Sequence, residues 1–243
     1  MLSLRAPTRL PLVAPSILAA DFMRMGDEAA SVLDAGGDLL HVDVMDGHFV
    51  PNLTLGPDMV RCLRRRFPDA LLDVHLMIEK PGDFVRPFVD AGASHLTFHA
   101  EVVSPDAARR LVDQIHGAGA TAGLAMNPPT QVKPWADLFP DLDLVLVMSI
   151  FPGFAGQRFM PEVLPKVRQI REALRADQRL EMDGGIGPDN AAMCREAGCD
   201  VLAAASAIFA KPPAERAGVI RALRGPGGRA EGTEGHHIRT RSE

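Results

Sequence analysis

The sequence alternates eight short apolar runs with longer, helix-like segments between residues 12 and 224. The runs lie at 12–18, 39–45, 71–77, 95–100, 121–126, 142–148, 180–183 and 200–205. Each unit has about 27 residues, which is enough for a strand, a three-turn helix and two short loops. Repeated strand–helix units imply parallel strands, and eight of them in one chain predict a closed (β/α)8 TIM barrel of the α/β class.

The main structural alternative is an open, doubly wound sheet, which would show a glycine-rich turn directly after the first strand. Here the first run continues into Ser16-Ile-Leu-Ala-Ala-Asp21 instead, so the barrel is favoured. We therefore expect one catalytic domain over residues 11–224. Residues 1–10 read as a loose N-terminal arm, and residues 225–243, rich in glycine and charge, read as a disordered tail.

The composition argues against several classes of binding partner. The net charge is −5, so the basic surplus typical of a nucleic-acid-binding protein is missing. No run of 18 apolar residues predicts a transmembrane helix, and the N-terminus lacks a signal-peptide pattern. Cys62, Cys194 and Cys199 lack metal-ligand spacing and read as ordinary thiols of a reducing compartment. We expect a cytoplasmic protein that binds neither nucleic acid nor membrane.

Two histidines and two aspartates fall at the predicted carboxyl ends of strands, where barrels of this kind carry their sites. His41 and Asp43 are two residues apart and share a face of the second strand, His75 lies on the third, and Asp183 ends the seventh. Singly, each histidine reads better as a satisfied core residue and each aspartate as a turn cap. Together the four predict a site for Zn²⁺, Fe²⁺, Mn²⁺ or Co²⁺.

Three glycine- or alanine-containing turns follow the sixth, seventh and eighth strands, the sector in which barrels often bind phosphate. They are Gly153-Phe154-Ala155-Gly156, Gly184-Gly185 and Ala205-Ser206. Glycines let successive N–H groups turn toward an anion, and a following helix adds partial positive charge. The alternative is a set of tight turns that need glycine only for backbone reasons.

Other polar and sulfur-containing residues at strand ends have weaker readings. His99 and Glu101 could form a metal or acid–base pair, but a structural or second-layer hydrogen-bond pair is the favoured interpretation. Met45, Met77 and Met148 read first as core filling, with an apolar wall over a reactive intermediate as the alternative.

The chain resembles the ribulose-phosphate 3-epimerase family from about residue 13 to residue 224. The resemblance is carried by APSILAADF (14–22), HVDVMDGHFVPNLTLGP (41–57), DVHLM (73–77), TFHAE (97–101), PGFAGQRF (152–159), DGGIGPDN (183–190) and ASAIF (205–209). It implies a (β/α)8 isomerase acting on carbohydrates, which interconverts D-ribulose 5-phosphate and D-xylulose 5-phosphate in pentose phosphate pathways. The reaction is expected to be epimerisation at C3 by two-base proton transfer through a metal-stabilised enediolate.

The resemblance also implies roles for individual residues. His41, Asp43, His75 and Asp183 match the ligands of one divalent ion per subunit, and Asp43 and Asp183 match the acid–base pair. The substrate contacts it implies are Ser16, His75, Gly153, Phe154, Ala155, Gly156, Gly184, Gly185, Ala205 and Ser206. Members of the family form dimers or hexamers, so a homo-oligomer is expected.

Three positions depart from the family pattern: Phe151 replaces a polar residue, and Ala155 and Ala205 replace glycines. They put phosphate affinity and substrate size in question. A 3-epimerase of a hexulose phosphate such as D-allulose 6-phosphate therefore stays open, as does a catalytically weak sugar-phosphate-binding barrel. A Schiff-base aldolase is disfavoured because no lysine ends a predicted strand.

Overall fold

A computed structural model describes residues 4–226, and eight parallel strands form one sheet in the order β1-β8-β7-β6-β5-β4-β3-β2. The strands are β1 (Leu12–Pro15), β2 (Leu40–Met45), β3 (Leu72–Met77), β4 (His95–His99), β5 (Thr121–Met126), β6 (Leu144–Met148), β7 (Arg179–Asp183) and β8 (Val201–Ala204). A parallel bridge between Ser16 and His41 joins β1 to β2 and closes the ring. The predicted (β/α)8 barrel is confirmed.

Helices surround the strands on the outside. They are α1 (Met25–Asp34), α2 (Pro57–Arg66), α3 (Val85–Ala91), α4 (Pro105–Ala118), α5 (Leu164–Ala173), α6 (Ala191–Glu196), α7 (Ser206–Phe209) and α8 (Pro213–Arg224). Between β5 and β6 the connection is the 3-10 helix Lys133–Asp141, where Pro134 and Pro140 withhold the N–H groups that an α-helix would use. None of the helices in the described part is long and apolar enough to cross a membrane.

The seam between the first and last units is closed on the outside by a buried ion pair. Arg216 of α8 lies 2.7 Å from Glu28 of α1, and the Arg216 guanidinium also packs over the Phe209 ring. Both charged side chains are at least nine-tenths buried, so the pair is well shielded from salt and water.

Side chains alternate between the helix-facing and the inward surface of the strands. The outward residues join the helices in one large apolar core. Inside the barrel, β1, β5, β6 and β8 contribute Leu, Ala, Val and Met side chains. The inward positions of β2, β3, β4 and β7 are polar instead, and they hold the buried residues His41, Asp73, His95, Thr97 and Glu181. These polar residues surround the base of the site described below.

The amino end of the barrel is sealed by four side chains that precede the even-numbered strands. Asp38, Ser94, Asp143 and Asp200 each accept the backbone N–H of the neighbouring odd-numbered strand. The donors are, in the same order, Val13, Leu72, Ala122 and Leu180, at 2.8, 3.2, 2.8 and 2.7 Å. Arginines contact all four acceptors: Arg9 and Arg224 at Asp38, Arg64 at Ser94, Arg5 at Asp143, and Arg171 and Arg179 at Asp200. Charge and strand N–H groups at this end are therefore satisfied by the protein itself.

The N-terminal arm is part of this seal. The sequence predicts a loose arm, but Leu4 is buried among the inward residues of the barrel. Arg5 and Arg9 anchor the same segment through Asp143 and Asp38. At these three residues the segment thus makes contacts with the barrel that a loose arm would lack. The predicted tail lies outside the described residues, except for positions 225 and 226.

Candidate metal centre and sugar-phosphate cleft

Four side chains converge at the carboxyl end of the barrel. His41 and Asp43 occupy alternate positions of β2, and Asp43 is in register with His75 of β3. Asp183 is the last residue of β7. Both imidazoles are fully buried, while the Asp183 side chain is 15% exposed toward the opening. The strand ends thus gather all four sequence-predicted ligands at one point.

The distances suit one small cation. Asp43 Oδ1 lies 3.3 Å from His41 Nε2 and 3.2 Å from His75 Nδ1. Asp183 Oδ2 lies 4.0 and 3.7 Å from the same two nitrogens. Ligands at about 2.0–2.2 Å from a shared ion are about 3–4 Å apart. The four donor atoms, all within 4.8 Å of one another, therefore already have nearly the spacing that an ion requires.

An unsatisfied nitrogen supports the same reading. His41 Nδ1 is 2.7 Å from Asp73 Oδ2, so Nε2 is the ring nitrogen left to face a cation. His41 Nε2 is buried and has no hydrogen-bond partner in the described residues. A buried polar nitrogen without a partner is costly, and coordination of a cation removes that cost. Two imidazoles and two carboxylates form a donor set suited to Zn²⁺, Fe²⁺, Mn²⁺ or Co²⁺, so the residues fit a divalent metal.

The two aspartates at the site have opposite electrostatic environments. Burial raises the pKa of Asp43, but attraction to His41 outweighs it, and the pKa lies well below its ordinary value. Burial and repulsion by Asp43 raise the pKa of Asp183 to about 7. Carboxyl groups whose pKa values are pushed apart are typical of an acid–base pair.

The two imidazoles differ in the same way. Burial lowers the pKa of His41, but the carboxylates of Asp43, Asp73 and Glu181 together raise it well above the ordinary value. Burial lowers the pKa of His75 to about 4, although the Asp43 carboxylate lies close to it. The negative charge of the site is therefore concentrated around His41, while His75 stays neutral.

Ser16 gives the two oxygens of the Asp43 carboxylate different surroundings. Its hydroxyl donates to Asp43 Oδ2 at 2.5 Å, while Oδ1 faces the imidazoles of His41 and His75. Ser16 is itself buried, directly after β1. One carboxylate oxygen is thus directed to the metal position, and the other to the cleft that Ser16 lines.

Above these residues lies a cleft of about 470 Å³, a volume that includes its part open to solvent. Its walls include the three strand-end methionines together with Leu18 and Ile150. Met45, Met77 and Met148 are at most 5% exposed, so they present sulfur and methylene groups to the cleft and little surface to solvent. The cleft therefore has a polar floor and an apolar wall.

The three predicted anion loops form the other wall. Gly153, Gly156, Gly184 and Gly185 all have positive φ. At Gly185, a Cβ atom would lie 2.7 Å from both Gln157 O and Phe159 N, so this loop packs backbone against backbone on the loop after β6. Phe154, Ala155, Ala205 and Ser206 line the same cleft. All eight predicted phosphate-contact positions therefore line this one cleft.

Comparison with known proteins identifies the family of this chain. The model of the ribulose-phosphate 3 epimerase family matches residues 12–209. The chain is 48% identical to the ribulose-phosphate 3-epimerase of Mycobacterium tuberculosis strain H37Rv over 215 residues, covering 87% of this chain and 92% of that protein. It is 43% identical to the Bacillus subtilis enzyme of the same name, with 88% and 98% covered. The chain belongs to the ribulose-phosphate 3-epimerase family.

Solved structures show the fold more widely. The 3-keto-L-gulonate-6-phosphate decarboxylase of Vibrio cholerae aligns with a TM-score of 0.66 at 16% identity, covering 88% of this chain and 96% of that one. The 3-hexulose-6-phosphate synthase of Salmonella typhimurium aligns with a TM-score of 0.64 at 18% identity, with 88% and 96% covered. At these identities the likeness concerns the barrel alone. Family membership confirms the resemblance that the sequence motifs indicated.

The three departures from the family pattern are accommodated by the backbone. Ala205 has φ −103°, and in the described residues positive φ occurs only at glycines, so neither Ala155 nor Ala205 occupies a conformation that needs glycine. Phe151 is 56% exposed, and its carbonyl accepts a hydrogen bond from Gln157 at 2.8 Å. Neither alanine therefore needs a backbone conformation reserved for glycine, and Phe151 leaves its side chain largely in solvent.

Sequence reasoning missed two buried carboxyl groups beneath the metal position. Asp73 holds His41, and Glu181 Oε1 lies 3.3 Å from His41 Nδ1. Burial and repulsion by Asp73 raise the pKa of Glu181 to about 8. Each lies two residues before a predicted ligand, Asp73 before His75 and Glu181 before Asp183, so alternation along the strand is the signal that would have found them.

Proposed function

We propose that this protein epimerises D-ribulose 5-phosphate to D-xylulose 5-phosphate at C3, with Asp43 and Asp183 as the two acid–base residues. The observation that carries this proposal is the pair of carboxyl groups with opposed pKa shifts on the floor of one cleft, beside a set of four metal ligands. Inversion at C3 requires a proton to leave one face and return to the other, which one base cannot readily do. Family membership supports the substrate.

The phosphate group would be held by the loops after β6, β7 and β8. Gly153, Gly156, Gly184 and Gly185 have positive φ, which would let their backbone N–H groups turn toward an anion, and Ser206 begins a helical turn. This contact would place the ketose carbons over Asp43 and Asp183. Fixing the phosphate therefore supplies orientation, which lowers the entropic part of the barrier.

In one direction of the reaction, Asp43 starts ionised and removes the C3 proton through its cleft-facing oxygen. Asp183, whose raised pKa favours the protonated form in the absence of metal, returns a proton to the opposite face. A divalent ion on His41, Asp43, His75 and Asp183, when bound, supplies positive charge for the oxygens of the enediolate. The reverse direction exchanges the roles of the two aspartates.

The methionine wall has a matching role. Met45, Met77 and Met148 present no hydrogen-bond donor that could protonate the enediolate at the wrong atom. They also keep water from the floor of the cleft, which strengthens electrostatic interactions there. The ion we propose is one of Zn²⁺, Fe²⁺, Mn²⁺ or Co²⁺, one per subunit. A homo-oligomer and a cytoplasmic location stay predictions, as does the division at residues 11–224.

The deciding experiment is proton NMR of D-ribulose 5-phosphate with the full-length, metal-loaded protein in D₂O. We expect D-xylulose 5-phosphate that carries deuterium at C3, because the returning proton comes from an exchangeable carboxyl group. Unchanged substrate without C3 exchange would contradict the proposal. Parallel samples with D-allulose 6-phosphate distinguish a hexulose phosphate epimerase, and binding without exchange would indicate a sugar-phosphate-binding barrel.

A further inference from the structure

A buried chain of hydrogen bonds extends from the metal centre to the loop after β5. His75 Nε2 lies 2.9 Å from His99 Nε2, and His99 Nδ1 lies 2.9 Å from Glu101 Oε2. Both imidazoles are fully buried, and their rings are nearly parallel with centroids 5.0 Å apart. The Phe49 ring covers His99 at a centroid distance of 4.7 Å. Water is therefore excluded from the contact between His75 Nε2 and His99 Nε2.

Glu101 ends this chain as an acceptor on both oxygens. Oε1 accepts from the backbone N–H of Asn127 at 2.9 Å and from the Thr130 hydroxyl, while Oε2 faces His99. Burial raises the pKa of Glu101, but the hydrogen bond from His99 and those from the two other donors lower it to about 2. An ionised carboxylate only accepts, so His99 Nδ1 carries a proton.

The direction of the remaining bond follows from this. When His99 carries its single proton on Nδ1, its Nε2 has only a lone pair, so His75 donates from its own Nε2. A neutral imidazole has one proton, and a second acceptor competes for it, because Asp43 Oδ1 lies 3.2 Å from His75 Nδ1. If Asp43 held the proton, His75 Nδ1 would have no lone pair for a cation.

We propose that Glu101, acting through His99, is a positioning residue that keeps the His75 proton on Nε2 and so leaves Nδ1 free to bind a divalent cation. This inference rests on the metal site of the proposed function and adds two residues to it. The two histidine ligands then differ, since Asp73 holds His41 directly whereas a carboxylate holds His75 through a second imidazole.

Glu101→Gln is the informative substitution, because it preserves shape and reverses polarity. Asn127 N–H and Thr130 O–H both point at Oε1, so the glutamine oxygen takes that place and its NH₂ group faces His99. His99 Nδ1 then becomes an acceptor, its proton moves to Nε2, and the His75 proton is driven to Nδ1. We expect Co²⁺ affinity to fall by about 10- to 100-fold, as for other residues that orient metal ligands.

Thr130→Val is the matched control. It removes the hydrogen bond that Thr130 donates to Glu101 Oε1, and so perturbs the same loop. It leaves Glu101 Oε2 and its contact with His99 unchanged. Co²⁺ alone is titrated into the metal-free, full-length proteins, and ¹⁵N NMR of the imidazole nitrogens reads which atom of His75 is protonated. We expect wild type and Thr130→Val to share the Nε2–H form and the same affinity, and Glu101→Gln to show the Nδ1–H form.

Two results would overturn the inference. One is a wild-type His75 protonated on Nδ1; the other is equal Co²⁺ affinity in wild type and Glu101→Gln. If Glu101→Gln does not fold, His99→Phe removes the same acceptor, keeps a ring against Phe49, and should give the same loss. Should wild type bind no Co²⁺, the metal part of the proposed function fails, while the His75 tautomer in metal-free protein still decides this inference.

Discussion

The two ends of the barrel use the same amino acid for opposite purposes. At the amino end, Asp38, Asp143 and Asp200 accept strand N–H groups and contact arginines. At the carboxyl end, neither Asp43 nor Asp183 forms an ion pair with a lysine or arginine of the described chain. What stands opposite a buried carboxylate thus decides whether it stabilises the barrel or is left available for chemistry.

The largest expected effect of breaking this contrast is on turnover. Asp43→Asn and Asp183→Asn each remove one proton-transfer group, so we expect the rate of epimerisation to fall by about 10²- to 10⁴-fold. The measurement is kcat with D-ribulose 5-phosphate, alongside circular dichroism to show an intact barrel. Near-normal turnover in either variant with metal bound would mean that the aspartate is not an essential base.

Removal of the metal should affect the two ends of the barrel differently. Chelation is expected to abolish activity and to lower the melting temperature, since a bound ion at 100 times its Kd adds about 2.7 kcal/mol to the free energy of unfolding. The secondary structure should persist, because the seal at the amino end uses only protein groups. Far-ultraviolet circular dichroism before and after chelation, with activity restored by Co²⁺, checks this; unfolding on chelation would contradict it.

At the amino end the same substitution should affect stability and not chemistry. Asp143 accepts from Ala122 N–H and contacts both Arg5 and His116. We expect Asp143→Asn to reduce the free energy of unfolding by about 1–3 kcal/mol, as for loss of a hydrogen-bonded charge, with kcat retained. Urea unfolding measures it.

The matched control for that variant is Asp141→Asn. Asp141 pairs with Arg109, but both side chains are more than 40% exposed, so the change should cost less than about 1 kcal/mol. Equal losses in the two variants would show that the strand N–H bond at the amino end contributes little.

The smallest expected effect concerns how stability changes with pH, because Asp143 and Asp183 should contribute with opposite signs. Burial raises the pKa of Asp143, but Arg5, the Ala122 N–H and His116 outweigh it, so its stabilisation is present above about pH 4 and lost as the pH falls further. Asp183, with a pKa raised from 3.8 to about 7, destabilises the metal-free protein as the pH rises across that interval.

Asp183→Asn should therefore raise the melting temperature of the metal-free protein at pH 7.5 and leave it unchanged near pH 4. Asp143→Asn should lower the melting temperature at pH 7.5, with a loss that shrinks near pH 3. Melting curves of both variants over this range test the contrast. Parallel pH profiles would show that the two carboxyl groups do not differ in the way described.

Sequence patterns predicted the parts of the molecule that depend on local spacing. The eight runs became eight strands, and the alternation of His41 with Asp43 placed both at the mouth. The turn of Leu4 into the barrel and the contact of His75 with His99 depend on which strands are neighbours and how their side chains rotate. Glu101 was visible as a partner of His99, but its link to a metal ligand required the packed barrel.

The barrel is unevenly joined around its circumference. Seven neighbouring strand pairs are held by ladders of three to six registered residues, whereas β1 meets β2 through the single bridge of Ser16 and His41. That bridge joins His41, a ligand of the proposed metal site, to Ser16, whose hydroxyl donates to the proposed base Asp43. The one join that closes the ring is thus also a contact between two parts of the proposed reaction centre.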